Sequence, residues 1–486
     1  MIALNQGTPS RRLSTNVLLV LLTIAGAWLR LSHLGGRSLW LDEGATVALA
    51  RASWQHFWWV WWHGEANLQT IYFLFMRLWV HGGLSESWLR LPSAVFGIAS
   101  IPLLYALARK FTGVMGALVA AALLTFNPTH VYYSQEARSY TLAILLVLLS
   151  TYVFVAAVQS NRTRDWLWWT ICGIAVFYSH DLAALVLVAQ VASLFFKARP
   201  VPWWRALGFG AIIFVIAIPG LTYVFRAAPE NLHFVWMPRP SPLEFWHLAM
   251  FFGGSGMKVA LAIVLWIAGI CAVLRKRSDD AADDFWRGML IVLWAVIPPI
   301  ILALISLREP LFLQRYMVFC LPATILLAAL GVEALRKWKI GLLLVIALCA
   351  MSLPSIVKDY AKPREDWRGA SIAVLSGATP GDAVVFFPFY TRMMLDYYGA
   401  RLGASAPSLH VFAPEYYAGG EDANALLAAL NRDPHQFRHV WVFVSDHAEP
   451  VQVSDQHGAI TDKLRAAFGA PMQFSFDGVA LLIYGR

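Results

Sequence analysis

Ser38-Leu39-Trp40-Leu41-Asp42-Glu43-Gly44 follows directly on an apolar run that extends from residue 16 to residue 34. Ionisable groups beside a membrane-crossing stretch are costly, and each is a functional candidate. One reading makes Asp42 the cap of a surface helix, its carboxylate accepting backbone N–H bonds. A single cap does not need two adjacent carboxylates, which leaves one for chemistry. The apolar run itself is long enough to cross a bilayer, for which about 20 residues suffice. Small residues at Ala25-Gly-Ala27 resemble a leader cleavage site. The run continues past them, so an uncleaved anchor is expected.

Similar runs lie near 91–108, 115–133, 139–158, 166–179, 182–197, 206–225, 257–274, 288–306, 314–332 and 339–354, eleven with the first. A shorter one, Leu68 to Val80, follows Trp54, Trp58, Trp59, Trp61 and Trp62. Tryptophan favours the headgroup region, so juxtamembrane helices along the surface are expected at about 38–82. Charge placement agrees. With the N-terminus inside, the cytoplasmic segments hold 16 basic residues in about 57 positions, the opposite loops 10 in about 107. That is the bias of the positive-inside rule, and a further span at 68–80 would invert every later loop.

The composition supports the same class. Of 486 residues, 59% are hydrophobic and only 14% charged, against roughly a quarter charged in soluble domains. The net charge of +9 does not mark a nucleic-acid surface. Residues 1–354 hold 27 Lys/Arg and 15 Asp/Glu, whereas 355–486 hold 11 and 14, so the excess sits between apolar runs. Cys172, Cys271, Cys320 and Cys349 all fall inside such runs and read as small buried hydrophobes. After Pro354 the pattern changes. Strand-like Ala383–Phe387, Val440–Val444 and Val479–Tyr484 alternate with helical Thr391–Tyr398, Ala423–Leu430 and 460–468, which suggests a small α/β domain. The fold expected is an α-helical polytopic membrane protein of about 11 spans (range 11–13) over 1–354, with a soluble α/β domain over 355–486. The topology puts that domain outside.

Further polar clusters fall on the same outer side. His63-Gly-Glu65-Ala-Asn67 reads equally as a solvated loop or a substrate contact. Tyr132-Tyr133-Ser-Gln135-Glu136-Ala-Arg138-Ser-Tyr140 is dense polarity between two apolar runs, either a local ion pair or a site. His180-Asp181 sits between two spans with no loop, a packed pair or a binder of substrate or cation. Arg315-Tyr316 opens the tenth span, where Arg315 either snorkels or turns inward to a phosphate. The acidic run Asp279, Asp280, Asp283, Asp284 lies among cytoplasmic basic residues and reads as a solvated face.

Taken as a set, these elements resemble the GT-C glycosyltransferases that use lipid-phosphate-linked sugars. Asp42-Glu43, Glu65-Ala-Asn67, Trp88-Leu-Arg90-Leu-Pro92-Ser93 with Phe96-Gly97, Ser134-Gln-Glu136-Ala-Arg138-Ser-Tyr140, and Arg315-Tyr316 before Leu321-Pro322 resemble one branch. That branch is the bacterial family-39-like enzymes, related to protein O-mannosyltransferases and lipid A aminoarabinose transferases. The similarity covers roughly residues 14–354. Leu68-Gln69-Thr70-Ile71-Tyr72 departs from the Pro-Pro-Leu-Tyr-like stretch of many relatives.

The resemblance implies inverting transfer of a sugar from a polyprenyl-phosphate donor to a hydroxyl of a lipid, glycan or protein acceptor. A phosphodiester-type leaving group needs no general acid. It needs a base, in-line placement and positive charge on the departing phosphate. Asp42 is the expected base, with Glu43 and Glu136 orienting the acceptor or holding a divalent cation. Arg138 and Arg315 are the expected phosphate clamp, and Glu65, Asn67, Tyr140, His180 and Tyr316 further substrate contacts. Mg or Mn, if used, would fall to Asp42, Glu136 and His180. A transporter or flippase is the rival reading, and it predicts mid-span ionisable groups and internal repeats. A transferase using cytoplasmic nucleotide sugars would need a cytoplasmic α/β domain.

Overall fold

The computed structural model describes residues 9–63, 69–198, 200–227, 239–275, 282–308, 310–335, 338–361, 364–403, 408–412, 423–433, 436–445 and 450–485. The chain divides into two compact units. One comprises Met1–Ser32, His63–Tyr72 and Leu91–Tyr360, the other His33–Trp62, Phe73–Arg90 and Ala361–Arg486. The juxtamembrane stretches that flank the first span thus cluster with the C-terminal residues.

The first unit is a helical bundle. Eight helices among the described residues are long and apolar enough to cross a membrane, and a bent pair, Val114–Thr125 with Pro128–Ser134, makes a ninth. All eleven expected spans are helical, but two are short. Thr163–Ser179 has 17 residues, and Asp181–Phe196 is a shorter apolar helix. The change expected after Pro354 comes later, because the helix Trp338–Ala361 runs through that proline, which membrane helices tolerate.

Packing in the bundle depends on small residues and satisfied polar groups. A Cβ at Gly269 would lie 2.1 Å from the Leu327 carbonyl oxygen, and one at Gly331 equally close to that of Leu265. The helices Met257–Arg275 and Leu321–Ala334 therefore touch backbone to backbone, the contact small residues permit inside membranes. Buried Gln190 accepts from Trp169 Nε1 at 2.7 Å and donates to Thr151 Oγ1 at 3.1 Å, so a polar core group is paired. Asp283 pairs with Lys197 and Asp284 with Arg287, as a solvated acidic face would. Cys271, unlike the other three cysteines, is exposed.

The second unit holds a five-stranded sheet, β1 (Ala383–Phe387), β2 (His410–Phe412), β3 (His439–Ser445), β4 (Met472–Phe476) and β5 (Val479–Gly485). Their order is β2-β1-β3-β5-β4. β1 is parallel to β2 and β3, whereas β5 is antiparallel to β3 and β4. All five residues of β1 are buried, as expected of a central parallel strand. Helices Arg392–Leu402, Ala423–Arg432 and Pro450–Phe468 fill the connections. The same unit carries the juxtamembrane helices Leu41–Arg51 and Trp54–His63. Thr70–Trp79, divided between the units, has ten residues and rises about 15 Å, too little to span.

Candidate active site

The connection after the first span is held by one arginine. Arg90 Nε donates to Glu43 Oε1 at 2.7 Å, and Nη2 to Glu43 Oε2 at 2.7 Å. Nη1 reaches the carbonyls of Leu34 and Arg37, and Nη2 also that of Ser38, at 2.9–3.0 Å. A guanidinium has five N–H donors, and here all five are used. Both partners are buried, Glu43 at 0% and Arg90 at 1% exposure. Glu43 Oε2 also accepts the Trp40 N–H at 3.3 Å, so Glu43 closes the capping box of the helix Leu41–Arg51. Arg364 adds positive charge 4.0 Å from Glu43 Oε2. Asp42 is half-buried in the first turn of that helix, where the helix dipole favours a negative charge.

The bundle contributes a separate cluster around His180. The Tyr140 ring lies 6.0 Å from His180, Tyr316 6.3 Å and Phe319 5.8 Å, while Tyr133 stacks edge-on to Tyr140 at 4.7 Å. The Arg138 guanidinium is 5.9 Å from the Tyr140 ring and that of Arg315 5.6 Å from Tyr316. Glu136 and Arg315 both lie within electrostatic reach of Tyr133. His180 Nδ1 is 3.6 Å from Asp181 Oδ1. Burial first, then the Arg138 charge, lowers the His180 pKa to about 4, so its imidazole is neutral at pH 7.

Local structure shows why these side chains converge. The helix breaks at Asn127-Pro128, and the Asn127 side chain caps the short helix Pro128–Ser134 by accepting from the His130 N–H. Arg30 donates to the carbonyls of Leu124 and Thr125 that the break leaves over, and bonds His130 Nδ1 at 2.8 Å. Gln135 Nε2 donates to the carbonyls of Arg30 and Ser32. Ser93 Oγ donates to the Arg138 carbonyl, and Thr141 Oγ1 to that of Ser93. A Cβ at Gly97 would lie 2.2 Å from Ser134 Oγ. The Pro92-Ser93 and Phe96-Gly97 elements thus seat the Gln135–Tyr140 loop.

The structure brings Arg138, Tyr140, His180, Arg315, Tyr316 and Glu136 into one cluster and sets Asp42 and Glu43 beside Arg90. Glu65 and Asn67 lie outside the described residues. Among the described residues, no three His, Cys, Asp or Glu side chains gather as a metal-binding group. Sequence reasoning quoted Arg90 and Tyr133 without giving them a role and missed Arg364 and Phe319. Arg90 had a signal, since an arginine two residues before a span proline needs a partner.

The signature of the dolichyl-phosphate-mannose-protein mannosyltransferase family matches residues 69–223. In three dimensions the chain resembles ArnT from Cupriavidus metallidurans in the apo state, with a TM-score of 0.63 at 14% identity, over 97% of this chain and 98% of that one. The chain has the GT-C glycosyltransferase fold. The same ArnT bound to undecaprenyl phosphate gives 0.59 at 15% identity, covering 96% and 97%. The archaeal oligosaccharyltransferase AglB from Archaeoglobus fulgidus, in complex with an inhibitory peptide and a dolichol-phosphate, gives 0.52 at 12%, covering 98% and 74%. No curated protein matches the chain in sequence. On this fold, the Asp42 connection and the Ser134–Tyr140 loop are two of the elements on which the GT-C resemblance rests.

Proposed function

We propose that this polytopic membrane protein transfers a sugar from a polyprenyl-phosphate donor to an acceptor hydroxyl, with inversion, on the periplasmic face of a bacterial inner membrane. The observation that carries this reading is the fold match over 97% of the chain to ArnT, a protein also seen with undecaprenyl phosphate bound. Asp42 takes the proton of the acceptor hydroxyl. The acceptor oxygen then bonds the anomeric carbon from the face opposite the phosphate, the bond from that carbon to the phosphate oxygen breaks, and polyprenyl phosphate departs. General-base assistance of this kind is worth about 10²–10⁴-fold.

Asp42 and Glu43 divide the work. Glu43 is committed to Arg90 through both oxygens, so its service is to position. Arg138 and Arg315 balance the charge on the departing phosphate. Tyr140, Tyr316 and neutral His180 line the donor side, Tyr140 and Tyr316 offering faces to the sugar ring. Glu136 orients the acceptor, together with Glu65 and Asn67. Comparing turnover with and without EDTA decides whether Mg or Mn takes part.

The test is incubation of purified protein with a panel of undecaprenyl-phosphate sugars, including mannosyl and aminoarabinosyl donors. Release of undecaprenyl phosphate, followed by mass spectrometry, supports the reading. Movement of intact donor across a vesicle membrane without release would favour the flippase instead.

A further inference from the structure

The C-terminal domain reaches the Asp42 connection through a set of directional bonds. Tyr398, on the helix Arg392–Leu402, accepts the Leu39 N–H at 3.0 Å and shares a hydrogen bond with Ser38 Oγ at 2.9 Å. Ser38 Oγ also accepts the Arg368 N–H at 3.1 Å, and an Arg368 guanidinium nitrogen donates to the Gly35 carbonyl. Glu86 is the second anchor. Its carboxylate, 1% exposed, pairs with Arg368 at 2.7 Å and with Arg401, and Tyr398 OH lies 3.4 Å away. Tyr397 OH donates to the Leu84 carbonyl at 2.7 Å. Past the connection the contact turns apolar. A Cβ at Gly44 would lie 2.3 Å from Met394 Sδ, so the domain helix and the Asp42 helix pack closely, and a larger residue at 44 would have to displace the Met394 side chain.

We propose that the C-terminal domain is a positioning element of the reaction: Tyr398, braced by the Glu86–Arg368–Arg401 node, sets the place of the Asp42 carboxylate. This rests on the reading of Asp42 as base. The physical case is one of leverage. Residues 38–41 join a span end to the helix that carries Asp42, and a loop of that length moves unless its backbone is held. Arg90 holds the carbonyls of Leu34, Arg37 and Ser38, and Tyr398 holds the Leu39 N–H. Both edges of the connection are therefore gripped, one by the end of a membrane helix and one by the domain. A shift of an ångström at a reacting group costs up to about a hundredfold in rate, so a device that removes such freedom acts on turnover and not on donor affinity.

Tyr398→Phe deletes the hydroxyl at nearly constant size. A hydrogen bond of this kind is worth about 0.5–1.5 kcal/mol, so kcat should fall roughly tenfold while KM for the panel donor that supports turnover stays within about twofold. Hydrogen–deuterium exchange on the whole protein provides a readout independent of activity, and peptides over residues 36–44 should exchange faster in the variant. Val442→Ala, in β3 and buried in the domain core, serves as a control of similar or greater destabilisation and should leave kcat and that exchange unchanged. In an Asp42→Asn background, Tyr398→Phe should cost nothing further. Unchanged exchange over 36–44, or a further tenfold loss in that background, overturns the proposal. Wild-type turnover by Asp42→Asn alone sinks the base reading, and the exchange rate then still decides whether Tyr398 holds the connection.

Discussion

Two regions that the sequence marked as one site are built on different principles. The connection around Asp42 is held by directional bonds. Arg90 spends all five donors on it, and Glu43 is completely buried in a two-pronged pair. The cluster around His180 is held mainly by ring contacts, with centroids 4.7–6.3 Å apart. Directional bonds fix a position to a few tenths of an ångström, whereas ring contacts tolerate a broader set of poses. On the function proposed above, the difference suits a base placed in one spot and a pocket that takes up and releases a lipid-linked sugar.

The largest effect expected is at the fixed end. Asp42→Asn should lower turnover by about 10²–10⁴-fold, with donor affinity and folding little changed, because the amide is nearly isosteric and caps about as well. Transfer rate and donor binding on one detergent-purified preparation check this. A variant that transfers normally would leave the connection as scaffolding only. Next in size is Arg90→Ala. Removing one partner of a buried pair costs about 3–5 kcal/mol, and three carbonyls lose a donor as well. Thermal unfolding should fall sharply, whereas Glu43→Gln, which keeps both acceptor and shape, should lose less. Equal stability of Arg90→Ala and wild type would break the contrast drawn above.

How far the sequence could be read follows the same divide. Apolar periodicity located the helices long enough to cross a membrane among the described residues, and two shorter ones, Thr163–Ser179 and Asp181–Phe196, were found as helices as well. β1, β3 and β5 were legible as apolar runs. β2 has only three residues and β4 is largely exposed, so neither leaves an apolar signal. The polar clusters were visible because charge beside a span is rare. Their partners were not, since Glu43 and Arg90 lie 47 residues apart and Ser38 and Tyr398 lie 360 apart. The double duty of Glu43, which accepts the Trp40 N–H and pairs with Arg90, was hidden for the same reason, since local spacing does not show a distant arginine.

On the donor side, Arg315→Lys keeps the charge but loses the two parallel bonds a guanidinium offers phosphate. A loss of about tenfold in kcat/KM is expected, carried largely by KM, and a smaller one for Arg138→Lys. Donor titrations separate the two. Wild-type behaviour in both would move the phosphate away from the aromatic cluster and leave that cluster a packing feature.

The smallest effect expected is a pH dependence at His180. Burial, then the nearby Arg138 charge, lowers its pKa from 6.5 to about 4. Between those values the unfolded chain binds a proton that the folded chain refuses, so folding stability rises with pH through this window. Stability from this group is complete above pH 6.5 and is lost as pH falls toward 4, by at most about 1.4 kcal/mol per pH unit. His180→Gln cannot take up the proton in either state, so thermal unfolding followed from pH 7 to pH 4.5 should fall less steeply in the variant. A parallel pair of pH curves would show that His180 is protonated within the fold. Its imidazole would then titrate near its ordinary value inside the fold, and the ring cluster would hold a charge that ring contacts alone do not place.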